Sequence, residues 1–177
     1  MVKTKFNSGA RGVNVLAGVG HGKVLMWEYL DGPWGGAAAK AAYEGPISKA
    51  LKAEYPHRKR FTVLEDNDPS GFKSGMGESA KKEVGFRSFV IPKRSPCLKV
   101  CDYFLWYEVN RRMREQETSF KAGRRESRKS FLARLRRTAM GLPAEVVSRA
   151  VGDMRRRCVR LVEADGGNIE EGGLGQR

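Results

Sequence analysis

Short apolar runs and helix-compatible stretches follow one another in a definite order along residues 1–117, and this order limits the folds that the chain can adopt. Apolar residues alternate with other residues over 13–19 and resume over 24–30 after Gly20-His21-Gly22, a pattern that predicts a β-hairpin. An Ala-rich stretch over 35–55 predicts a helix with a kink or break at Gly45-Pro46.

Strand-like and helix-like segments then alternate. Residues 61–64 and 86–91 are short runs of strand formers, and residues 73–84 between them are compatible with a helix. An aromatic-rich helix is predicted over 101–117, because its apolar residues recur every three or four positions. Since alternating units require parallel strands joined by crossover helices, the sequence predicts an α/β fold with a mixed sheet and flanking helices.

The composition changes after residue 117. Lys and Arg outnumber Asp and Glu by 34 to 20 in the whole chain, but by 16 to 5 within residues 111–160 alone. We therefore predict three segments, which are a core over 1–117, a basic C-terminal helical arm over 118–165 and a disordered Gly-rich tail over 166–177. The arm is predicted to contain helices over 130–140 and 144–164.

The basic arm predicts a polyanionic partner, because phosphate contacts need only positive charge within reach of a nucleic-acid backbone. Solvation of helix faces by the same arginines is the alternative, and the sequence leaves it open. The candidate phosphate-contacting residues are Arg134, Arg136, Arg137, Arg155, Arg156 and Arg157.

Targeting and redox signals are absent from the sequence. No apolar run approaches the ~20 residues of a spanning helix, and the first residues lack the apolar core of a signal peptide. The three cysteines are odd in number, which argues against a disulfide framework, and no second Cys pair supports a zinc site. These features predict a soluble, intracellular protein with no membrane partner.

Two acidic positions carry the candidate chemistry. Asp66 lies in a Glu-Asp-Asn-Asp cluster just after a predicted strand, and Asp102 lies at the start of the aromatic helix, with 35 residues between the two. An intervening helix and strand could return the chain to the same sheet edge, where two carboxylates repel one another unless a divalent cation lies between them. Proximity would therefore imply Mg²⁺ or Mn²⁺, whereas the alternative is that the two residues are solvated loop and helix-cap residues.

Several ordered motifs carry a resemblance to a known family. The segment 61–69, Phe-Thr-Val-Leu-Glu-Asp-Asn-Asp-Pro, resembles the strand and turn around the second catalytic Asp of mariner-superfamily (DDE/D) transposases. The segment 95–106 resembles that family's block leading to the third catalytic acid and a Trp, and 154–167 resembles its terminal helix with a Gly-Gly end. Residues 13–19 resemble the second strand of the core.

The resemblance implies a ribonuclease-H-like fold, two bound Mg²⁺ or Mn²⁺ ions and a DNA substrate that is cut and then joined by strand transfer. Asp66 would be the second catalytic acid and metal ligand, Asp102 the third, and Asn67 a supporting residue that orients the turn. DNA is the implied partner, a second copy of the chain is a further one, and the location would be nuclear or otherwise DNA-associated.

The sequence also departs from the family. The family's first acid precedes the segment that matches 13–19, and none of the residues before Val13 is acidic. Cys97 stands where the family has Asp, Lys99 where it has Asn, and Gly71 near a position often held by His. We therefore expect a core that lacks its first strand and first metal ligand, and a transposase remnant that cleaves DNA poorly or not at all. The alternative is a basic nucleic-acid-binding protein without the chemistry.

Overall fold

The computed structural model describes residues 12–20, 22–118, 120 and 126–167. The described part begins with an antiparallel hairpin of β1 (Val15–Gly20) and β2 (Lys23–Tyr29). Gly22 in the connecting turn has a φ of 85°, a left-handed conformation that glycine adopts without steric cost. The hairpin predicted from the alternating apolar pattern is confirmed.

Two short helices follow the hairpin. Helix α1 (Gly36–Ala42) and helix α2 (Ser48–Glu54) are joined by a π-helical turn, Tyr43–Ile47, that contains Pro46. Proline has no N–H for the helical ladder, so the ladder is interrupted where the Gly-Pro pair predicts a break.

A strand–helix–strand unit comes next. Strands β3 (Phe61–Leu64) and β4 (Phe86–Phe89) pair in parallel, and helix α3 (Gly75–Glu83) connects them. The predicted mixed sheet is corrected in one respect, because the described strands form two separate two-stranded sheets. A tight turn connects β1 to β2, and the crossover helix α3 connects β3 to β4. No described strand pairs with both of these sheets.

Helices make up the rest of the described chain. A 3₁₀ turn, Pro96–Leu98, and a π-helical turn, Cys101–Leu105, lead into α4 (Trp106–Thr118), which is followed by α5 (Arg128–Met140), α6 (Ala144–Gly152) and α7 (Met154–Glu163).

The single helix predicted over 144–164 is wrong, since α6 ends at Gly152, α7 begins at Met154, and Asp153 forms a turn between them. The Asp153 carboxylate accepts a hydrogen bond from the Nε of Arg157 at 3.0 Å. Beyond α7, Gly166 and Gly167 donate backbone hydrogen bonds to the last turn of the helix. Most of the predicted disordered tail, residues 168–177, lies outside the described residues.

One hydrophobic core joins the hairpin to the C-terminal helices. Its buried residues come from β2, the π-helical turn before α4, α4 itself, α5, α6 and the α5–α6 connection, and include Trp27, Leu105, Val109, Ala139 and Val147. The basic helical segment therefore shares a hydrophobic core with the hairpin and α4.

A second core holds the parallel strands in place. Phe61 and Phe86, the first residues of β3 and β4, pack edge to face with ring centroids 5.7 Å apart, and Tyr43 and Ala80 close over them. This packing fixes the direction of β3, and so fixes where the acidic residues at its carboxyl end emerge.

The described helices are all too short or too polar to cross a bilayer.

The three cysteines are free thiols. Burial raises the pKa of Cys101 to about 12, whereas Cys158 is exposed. Since the thiolate is the nucleophile, we expect a thiol reagent at neutral pH to label Cys158 at least ~100-fold faster than Cys101. Peptide mapping by mass spectrometry during labelling of the folded protein measures both rates, and equal rates would contradict the raised pKa of the partly buried Cys101 thiol.

Candidate functional site

The carboxylates of Asp66 and Asp102 both form ion pairs with one lysine, Lys99. Asp66 emerges two residues after β3 ends, and Asp102 lies in the π-helical turn before α4. The Lys99 Nζ is 3.1 Å from Asp66 Oδ1 and 2.6 Å from Asp102 Oδ2. The structure therefore brings the two acids together, with an ammonium group between them.

Each carboxylate is oriented by a further donor. The backbone N–H of Asn67 donates to Asp66 Oδ1 at 2.8 Å, and the indole Nε1 of Trp106 donates to Asp102 Oδ1 at 3.3 Å. The Asn67 side chain donates to the carbonyl of Ile91 at 3.1 Å, which ties the turn after β3 to the chain after β4. Asn67 is thus placed where it can orient the turn that carries Asp66.

The position of Lys99 is set by its backbone. Its N–H donates to the carbonyl of Pro96 at 3.0 Å, and its carbonyl accepts from Asp102 N at 2.8 Å and Tyr103 N at 3.0 Å. Burial acts to lower the pKa of Lys99, but hydrogen bonds to Asp102 and Asp66 outweigh it and raise the pKa above the ordinary value. Lys99 is therefore a firmly charged cation inside the site.

The residues present do not fit the two-metal site that the family resemblance implies. Mg²⁺ and Mn²⁺ take oxygen ligands, and an ammonium group has no lone pair to offer. In the described ranges, no group of three or more His, Cys, Asp or Glu side chains could hold a metal ion. The site consists of two carboxylates with a cation already between them.

The acidic neighbours of Asp66 have other partners. The Glu65 carboxylate is buried and is contacted by Lys81, Tyr43 and Ser88, while Asp68 accepts a hydrogen bond from the Trp34 indole at 2.7 Å. Glu65 and Asp68 therefore stabilise the loop internally, and the Asp66 side chain, which is 49% exposed, faces solvent.

A crevice of about 520 Å³ opens beside Asp102. Its walls are the turn over 92–97 on one side and Leu161, Gly166 and Gly167 at the end of α7 on the other. Lys93 and Arg94 line it and are exposed, which makes its rim positive. Sequence reasoning missed these two residues, although a basic pair between Pro92 and Pro96, shortly before a candidate acid, is a visible signal.

The six arginines proposed for phosphate contact divide into two groups. Arg134 and Arg157 are buried: Arg134 pairs with Glu126 and Glu117, while Arg157 pairs with Asp153 and lies 3.8 Å from the centre of the Tyr103 ring. Their guanidinium groups are committed to holding helices together. The exposed members of the set are Arg136, Arg137, Arg155 and Arg156.

The four exposed arginines lie on two different helices, α5 and α7. Arg136 donates to the carbonyl of Trp27, so it packs α5 against β2, and Arg137 is its neighbour on that helix. Arg155 and Arg156 lie on α7, which contacts the 3₁₀ turn next to the crevice. The exposed α7 arginines are therefore the members of the set on the helix whose C-terminal end lines the crevice, and Arg156 also pairs with Asp153 at 2.6 Å.

Comparison with solved structures gives the same fold as the sequence resemblance. The catalytic domain of Mos1 mariner transposase superposes with a TM-score of 0.74 over 90% of this chain and 77% of that chain, at 18% identity. The Mos1 mariner paired-end complex with Mn superposes with a TM-score of 0.75 at 18% identity, and the Mos1 strand transfer complex with 0.73 at 17% identity. Both of these matches cover 96% of this chain and 48% of that chain.

The likeness establishes the class of fold. The chain has a mixed α/β, ribonuclease-H-like architecture similar to the Mos1 catalytic domain, as the resemblance implied. Structures of that domain with Mn and with Mg are among the neighbours. No protein-family model matches the sequence, and no curated protein matches it significantly.

Proposed function

We propose that this protein is a transposase-related DNA-binding protein that holds a DNA strand in the crevice beside Asp66 and Asp102 and does not cut it. The observation that carries the proposal is the crevice itself, which places a positive rim next to Asp102 on a fold shared with a DNA transposase. The ancestral activity would be metal-dependent strand cleavage and strand transfer.

The charge distribution supports a nucleic-acid partner. The chain carries a net charge of +14, and Lys93 and Arg94 lie exposed along the crevice. Arg155 and Arg156 are exposed on α7, the helix whose C-terminal end lines the crevice. Contacts of this kind bind phosphates without reading bases, so the expected binding is sequence-independent and weakened by salt. A DNA-associated, nuclear location and a second copy of the chain as a partner belong to the same proposal.

We expect no DNA cleavage because of the side chains that surround Asp66 and Asp102. A two-metal mechanism needs ligands that bridge both ions and stabilise the attacking and leaving oxygens. Here two carboxylates share an ammonium group, and that ammonium occupies the space between them. The role proposed for Asp102 is therefore to line the crevice, with Asp66 holding Lys99 beside it and Asn67 orienting the turn that carries Asp66.

Binding is tested by removing equal charge at two places, after the carboxyl end of β4 and before the amino end of β3. Lys93→Gln with Arg94→Gln is expected to weaken the binding of a fluorescent duplex about tenfold and to lower the salt slope by about 1–2, because two phosphate contacts are lost. Lys59→Gln with Arg60→Gln, at the amino end of β3, removes the same charge and is expected to change affinity less than about twofold. Equal losses in the two variants, or an affinity that ignores salt, would contradict the proposal.

Cutting is tested separately on supercoiled plasmid DNA. With Mn²⁺ present, we expect the wild-type protein to nick no faster than the variant with Asp66→Asn and Asp102→Asn. Nicking that is lost in either single variant would replace this proposal with an active metal-dependent endonuclease, the second candidate function, which the structural likeness favours.

A further inference from the structure

We infer that Lys99 is the resident cation of the Asp66–Asp102 pair, and that its side chain keeps divalent metal ions out of this site. This inference deepens the part of the proposed function that concerns cutting, and its test is made without DNA, so that it can fail while DNA binding stands. It assigns to one side chain the exclusion of divalent metal from a carboxylate pair on this fold.

The geometry carries the first step. The Lys99 ammonium is within ion-pair distance of both carboxylates, whereas Asp66 and Asp102 are 36 positions apart in the sequence and on different elements. A lysine three residues before an aspartate often pairs with it along a helix, but the additional contact to Asp66 is tertiary. The ammonium therefore bridges the two elements.

The second step is that the ammonium is held in place. The Lys99 side chain is 15% exposed, less than Asp102 at 25% and Asp66 at 49%. Its backbone is bonded on both sides, to Pro96 and to Asp102 and Tyr103. A tethered cation needs no capture from solution, so it competes with a free divalent ion at a high effective concentration.

The third step concerns charge. One ammonium leaves the pair of carboxylates with a single net negative charge, and a divalent ion entering the same space would meet a positive charge at van der Waals distance. Metal entry therefore requires Lys99 to swing away and leave its two partners. A neutral amide at position 99 would remove the repulsion and add an oxygen ligand.

The test measures Mn²⁺ binding by electron paramagnetic resonance of the free ion, on the full chain and without DNA. Wild-type protein is expected to bind no Mn²⁺ at this site. Lys99→Asn is expected to gain a site at least about tenfold tighter than any wild-type binding, and adding Asp66→Asn is expected to abolish it. Lys59→Asn makes the same charge change at the other end of β3 and is expected to gain nothing.

A conservative variant separates charge from packing. Lys99→Arg keeps the positive charge and is expected to exclude Mn²⁺ as the wild type does. Thermal melting in a chelator checks that each variant folds, and Mn²⁺ is expected to raise the melting temperature of Lys99→Asn alone. Mn²⁺ binding by the wild-type protein that needs Asp66, or a folded Lys99→Asn that gains no Mn²⁺ affinity, would overturn the inference while leaving DNA binding untouched.

Discussion

Replacing Lys81 by methionine is expected to lower the free energy of unfolding by about 3 kcal/mol. The Lys81 side chain is 2% exposed and pairs with the Glu65 carboxylate, which is itself 6% exposed. Methionine fills similar space but leaves a buried carboxylate without its main counter-ion. Lys73, at 3.0 Å from the same carboxylate, remains as a partner, which places the loss at the low end of the range for broken buried pairs.

Urea unfolding followed by circular dichroism measures this loss. Lys82→Met is the matched control, because Lys82 is the next residue of α3 and is exposed, so its replacement is expected to change stability by less than about 0.5 kcal/mol. Adding Glu65→Gln to Lys81→Met removes the buried charge and is expected to recover part of the loss. A double variant no more stable than Lys81→Met would show that the cost arises from packing and not from charge.

The strand and turn that carry Asp66 could be predicted because their signals are local. A run of four strand-forming residues, bounded by charged ones, gives β3 with the bounds expected from sequence, Phe61–Leu64. The break at Pro46 is equally local. By contrast, the two separate sheets depend on which strand edges meet across the molecule, and no local pattern encodes that.

The contents of the site could be predicted only in part. The spacing of Asp66 and Asp102 is compatible with a shared sheet edge, and the structure brings them together. The role of Lys99 was missed, because three residues before Asp102 it looks like an ordinary helix ion pair. Lys81 was missed for a similar reason, since helix patterns assign lysine to solvent, and only the tertiary position of Glu65 accounts for its burial.

The arginines show the same limit. The composition gives the number of charged residues but does not show which of them are paired. An argument from composition therefore treats Arg134, Arg157 and Arg155 alike. In the structure, the first two are buried against carboxylates and aromatic rings. Some arginines of the basic segment therefore serve internal packing. The positive charge that remains exposed to a polyanionic partner is smaller than the number of Lys and Arg residues suggests.

Gly71→Ala is expected to lower the free energy of unfolding by about 2–4 kcal/mol. A Cβ at this buried position would lie 2.1 Å from the Trp34 Nε1, far inside contact distance. The indole would have to move, and its hydrogen bond to Asp68 Oδ2 at 2.7 Å would be lost. Urea unfolding measures the change, and Gly75→Ala, where a Cβ meets nothing within 4 Å, is expected to be neutral within about 0.5 kcal/mol.

The Gly71 variant also makes a prediction about pH. Burial acts to raise the pKa of Asp68, but hydrogen bonds from Ser70, Trp34 and Gly71 outweigh it and hold the pKa below the ordinary value. A depressed carboxyl pKa contributes stability above the unfolded pKa, about 3.9, and this contribution is lost as pH falls through the folded value. Because Gly71→Ala breaks one of these hydrogen bonds, the stability gap between wild type and variant should narrow below about pH 4. A gap that stays constant from pH 7 to pH 3 would mean that the cost is steric alone and that Asp68 keeps its partners.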